Sequence, residues 1–169
     1  TASSSLVFNI GVMLTGVLFG IFMVINGLHN TAPLNTAVSF FGVLSGILMI
    51  AQGLFSFNYY TYHYILASAF YVSLFIMFVL YIVSKMLSKD RRSSLVGTAA
   101  ALLAGAASAV SAGYMITGGM AEVFSADAAG IGRANVIPFA IIGWAAYALL
   151  LFFIAVLSVR MLQTKKASI

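Results

Sequence analysis

Few side chains in this 169-residue chain can do chemistry: it has two histidines, three acidic residues and no cysteine. His63, Ser125, Glu122 and Asp127, with Arg133, are the residue types from which a hydrolytic site is assembled, a base beside a hydroxyl and a carboxylate. Their spacing does not support one. There is no nucleophile elbow and no metal-ligand pattern. The plainer expectation is that Glu122 or Asp127 pairs with Arg133 in a loop, where such pairs contribute little. Tyr59, Tyr60 and Tyr62 beside His63 fit an interfacial aromatic belt. A second group, Asn9, Gln52, Tyr114, Trp144 and Tyr147, places polar atoms within otherwise apolar runs. These residues are candidates to frame a slot for a lipid tail or a quinone-like ring. Core packing is the plainer account, with Asn9 bonded to Gln52 and Asn26 capping its helix or bonded to Asn35.

The elements that hold these residues follow from composition. Hydrophobic residues make up 63% of the chain and charged residues 7%, and mean hydropathy is +1.11. A soluble domain carries about a quarter charged residues. Five apolar runs are long enough to cross a bilayer, near 6–28, 34–57, 64–87, 95–120 and 136–162. None alternates as a barrel strand does, so the expected fold is an all-α, polytopic transmembrane bundle forming one domain. Turn residues separate the runs, among them Asn30 and Pro33. Asn135 is a candidate N-cap, with Pro138 in the first turn of the last helix.

Charge sets the expected orientation. Seven of the eight basic residues are Lys85, Lys89, Arg91, Arg92, Arg160, Lys165 and Lys166; the eighth is Arg133. With five spans, those seven share one face, which the positive-inside rule makes cytoplasmic. The N-terminus, the loop before His63 and the loop holding Arg133 then lie outside. An outside N-terminus makes Thr1 suspect as a true start, and an upstream signal or helix is expected. His29 and His63 fall on opposite faces, which disfavours a shared haem or metal. A pI near 9.7 reflects headgroup anchors at span ends rather than nucleic-acid binding.

Small residues predict how the helices touch. Gly16 and Gly20 form one GxxxG, Gly42 and Gly46 another, with Gly53 beyond; Gly97, Ala101, Gly105, Ala109 and Gly113 step by four along the fourth span. That span is expected to sit centrally. The third, rich in Phe70, Tyr71, Phe75, Phe78 and Tyr81, is expected to face lipid or a partner.

The run Ser5-Leu6-Val7-Phe8-Asn9-Ile10-Gly11-Val12-Met13-Leu14-Thr15-Gly16 resembles the second helix of a prokaryotic membrane family known as domain of unknown function 998. The strings Phe41-Gly42-Val43-Leu44-Ser45-Gly46 and Gln52-Gly53-Leu54-Phe55, and His63 after a short loop, are similar to that family too. The resemblance implies about six helices, with the first absent here. It carries no activity, and it marks His63 as a residue to test.

No ionisable side chain sits mid-span, which argues against an ion-coupled transporter. The expected function is a non-catalytic membrane subunit packing laterally in a larger complex. Its partners would be lipids and other membrane subunits, without nucleic acid. No metal or cofactor is expected, and a bound lipid is compatible with the pattern. The alternative is a small carrier of lipid or hydrophobic ligand; an outer-face lipid-modifying enzyme ranks third.

Overall fold

The computed structural model describes residues 2–55, 60–87, 95–118 and 138–166. They form five helices: α1 (Ala2–His29), α2 (Pro33–Leu54), α3 (Tyr60–Leu87), α4 (Leu95–Ile116) and α5 (Pro138–Lys166). Each contains a stretch long and apolar enough to cross a membrane, and no strand occurs among the described residues. The chain is an all-α, multi-pass membrane protein.

The helices pack in chain order, α1 on α2, α2 on α3, α3 on α4 and α4 on α5. The segments 30–32, 55–59 and 88–94 between the first four helices are short enough to force antiparallel neighbours. Gly16 meets Gly46, while Asn26 lies against Ser39 nearer the α1–α2 turn. α5 also returns to α3, parallel to it, through Phe78–Phe153 and Tyr81–Phe153 ring contacts at 5.1 and 4.8 Å. His29 ends α1 and His63 lies in the first turn of α3, so α2 separates them. Its 22 residues span about 33 Å. The bundle thus has a His29 end and a His63 end.

Burial reverses one expectation. The aromatic α3 is not the lipid-facing member: Phe70, Tyr71, Leu74, Met77, Phe78 and Tyr81 are all buried, and of its expected aromatics only Phe75 is exposed. Bulky rings fill the middle because α3 touches α2, α4 and α5 and must span the gaps between them. α1 is the least covered helix. Only 17% of an 18-residue apolar stretch is buried there, against 44% in each of α2, α3 and α4 and 28% in α5.

The ridge on α4 is real over half its length. Gly97, Ala101 and Gly105 are buried, Ala109 is half-buried, and Gly113 is exposed. Residues four apart drift by about 40° on a 3.6-residue helix, so five such steps cannot share one face. Ser108, Ser111, Ala112 and Met115 take over the buried side. A Cβ on Gly105 would press Phe78 at 3.2 Å, whereas one on Gly113 would meet nothing within 4 Å.

Helix ends also differ from expectation for local reasons. α4 stops at Ile116 rather than 120, because Gly118 adopts a left-handed φ of 81°. Its N–H reaches the Met115 carbonyl at 3.1 Å, a glycine C-cap. α2 opens on Pro33, whose missing N–H costs nothing in a first turn. α5 runs past the apolar stretch Ile141–Val159 to Lys166. Asn135, expected to cap it, lies outside the described residues.

Candidate functional site

Polar side chains in a bilayer pair within the protein or face a ligand, and here several pair along the helix seams. Asn26 of α1 donates from Nδ2 to Ser39 Oγ of α2 at 3.1 Å, rather than bonding to Asn35. On the next seam, Ser73 Oγ of α3 donates to the Phe41 carbonyl of α2 at 3.1 Å and lies 3.0 Å from Ser45 Oγ. Ser45 also lies 2.8 Å from that carbonyl, four residues back on its own helix. Neither serine contact was anticipated from sequence, although Ser45 stands within the glycine motif where backbones come close.

His63 has a structural task. Its Nδ1 lies 2.8 Å from the Phe55 carbonyl, so the Nδ1–H donates there. Phe55 follows the last residue of α2, and a helix C-terminus leaves carbonyls without intrahelical donors. The imidazole thus ties the end of α2 to the start of α3. Phe55 and Tyr62 pack ring to ring beside it, with centroids 5.7 Å apart. The other members of the expected polar cluster, Glu122, Asp127 and Arg133, with Ser125, lie outside the described residues.

Near the His63 end, the five slot candidates divide. Gln52, Tyr147 and Trp144 come together. The Tyr147 hydroxyl donates to Gln52 Oε1 at 3.4 Å, and the Tyr147 ring stacks on Phe70 with centroids 5.5 Å apart. Trp144 lies 6.3 Å from Tyr147 and meets Phe8 of α1 edge-on at 5.6 Å. Gln52 therefore pairs with Tyr147 of α5 and not with Asn9. Asn9 stays close by through its backbone, since its carbonyl lies 2.8 Å from where a Cβ on Gly53 would sit. Tyr114 stands apart, packed with Tyr64 against Ala67 and Met115 between α3 and α4.

Gln52 is buried, yet its Nε2 has no hydrogen-bond partner among the described residues. A buried amide without an acceptor is costly. Gly143 belongs to the same neighbourhood: a Cβ there would lie 2.9 Å from the Tyr71 hydroxyl, so the missing side chain lets that phenol approach α5. No signal in the sequence distinguished Gly143 from the other glycines. Among the described residues, no group of three or more histidine and acidic side chains gathers to hold a metal. What the cluster can do chemically is donate a hydrogen bond inside an aromatic frame. Comparisons with protein-family models, with curated proteins and with solved structures found no match for this chain.

Proposed function

We propose that this protein is a non-catalytic subunit of a cell membrane, oriented with the His63 end outside, which packs laterally against other hydrophobic chains. The observation that carries this is the state of α1. It is held along one side by α2 and turns Leu6, Leu14, Leu18, Ile21, Ile25 and Leu28 outward, each more than 40% exposed. Lipid alone covers such a face without difficulty. A lateral partner is the use of it that agrees with its apolar character, because such a contact needs no surface outside the membrane. The resemblance to the six-helix family carries no activity and leaves the choice of partner to experiment.

Orientation has its own support. Lys85, in the last turn of α3, places its Nζ 5.3 Å from the centroid of the Tyr81 ring. Lys89, Arg91 and Arg92 follow it in sequence, and such a cluster of basic residues marks a cytoplasmic face.

The test is gentle extraction followed by native electrophoresis and mass spectrometry of the intact particle. A defined larger assembly is expected; a lone, monodisperse 17.9 kDa chain in its micelle refutes the proposal. For orientation, the absence of cysteine allows single introduced thiols. Ser56→Cys should react with a membrane-impermeant maleimide on intact cells, and Ser88→Cys only after permeabilisation.

A further inference from the structure

Gln52 carries the one side-chain amide among the described residues that are buried, at 6% exposure. Ser45 and Ser108 turn back on their own helices, toward Phe41 and Ala104; Ser73 crosses to the Phe41 carbonyl of α2, and Ser111 Oγ has no partner among the described residues. The glutamine amide is larger than these hydroxyls and carries two donors. Its oxygen has one long bond to Tyr147 and its nitrogen has none among the described residues. Exchanging the two amide atoms does not cure this, because Tyr147 would then accept from the nitrogen and leave the oxygen unpaired.

The surroundings differ on two sides. Toward α1 and α2 the backbones are in contact: the Asn9 carbonyl lies where Gly53 has no room for a side chain. Toward α1 and α5 the helices meet through the rings of Phe8 and Trp144, which are 44% and 61% exposed. Behind Trp144 stands Tyr147, and Tyr147 reaches Gln52. A molecule dissolved in the bilayer would reach the amide by parting two side chains, with no backbone displaced.

We propose that Gln52 and Tyr147 form a binding site for a carbonyl oxygen carried on an apolar body, which enters laterally past Phe8 and Trp144. The free N–H groups of Gln52 supply the donor that such an oxygen accepts. The aromatic frame of Phe70, Tyr147 and Trp144 covers the apolar body. Two membrane molecules carry this chemistry, a glycerolipid through its ester carbonyl and a quinone through its ring carbonyl. This site stands whether or not the chain has a lateral partner.

The experiment uses the full chain purified in a maltoside detergent, which has no carbonyl. Thermal unfolding is followed while adding a short-chain diester phosphatidylcholine, its diether counterpart, or a short-tailed quinone. Stabilisation by the diester but not the diether identifies a lipid ester; stabilisation by the quinone identifies a ring carbonyl. In either case Gln52→Met, which keeps the length and removes the amide, should weaken apparent affinity roughly five- to tenfold. Equal responses to diester and diether with none to quinone overturn the proposal, as does unchanged affinity in Gln52→Met. Should that variant not fold, Trp144→Ala at the exposed rim gives the same test: weaker binding supports the site and unchanged binding overturns it.

Discussion

Two seams hold this bundle by opposite means. Between α1 and α2 the main chains touch: a Cβ on Gly16 would lie 2.7 Å from the Gly46 carbonyl, and one on Gly46 would lie 2.8 Å from the Gly16 carbonyl. Between α3 and α5 the backbones stand apart and rings interlock, with Phe153 set edge-on against both Phe78 and Tyr81. Water does not drive either seam, since lipid is as apolar as the side chains. Each is stabilised by dispersion between well-fitted atoms. They therefore fail in opposite directions, the first to added volume and the second to lost volume.

The strongest test adds volume to the glycine seam. Gly16→Val should cost about 3 kcal/mol, because the obstruction is backbone and cannot rotate away. Unfolding titrated with dodecyl sulfate in mixed micelles measures it, and a cost below a few tenths would remove the distinction. Next comes the converse. Phe153→Ala should cost about 3 kcal/mol, chiefly through the cavity left behind, while Phe153→Leu should recover most of it. Smaller again are the polar links. Asn26→Ala, which leaves Ser39 without its α1 partner, should cost roughly 0.6–1 kcal/mol in the same assay. The least effect belongs to Gly113→Ala. The position is exposed with open space around it, so better helix propensity should leave stability unchanged or raise it by about 0.5 kcal/mol. A loss there as large as that of Gly16→Val would show a covered α4 face and would sharpen the case for a lateral partner.

Span positions were legible in the chain because twenty apolar residues in a row admit few structures. GxxxG spans little more than one turn, and within the two motifs Gly16 and Gly46 meet through their main chains, whereas Gly42 receives Met23 and a Cβ on Gly20 would meet nothing within 4 Å. The order of burial was not legible. Small residues on α4 suggested a centre and rings on α3 suggested a rim. Volume decides differently: the helix with three neighbours needs the large side chains. At the candidate site, Gln52, Tyr147 and Trp144 stood out as polar atoms in apolar runs. Their grouping without Tyr114 depended on which way α4 and α5 face, and a pattern read along single helices does not contain that. His63 was conspicuous for its type, yet its partner is a main-chain carbonyl, which no residue name records.

The glycine contact is keyed to one alignment. Gly46 sits between two glycines of α1, its Cβ position 2.8 Å from the Gly16 carbonyl and 3.1 Å from the Gly20 Cα. Sliding α1 along α2 by four residues, about 6 Å, would put Val12 or Val24 where one of those glycines now stands. The Asn26–Ser39 hydrogen bond and the Met23 side chain lodged at Gly42 would be lost in the same step. Links that each add little to stability thus fix the register together, like the wards of a lock.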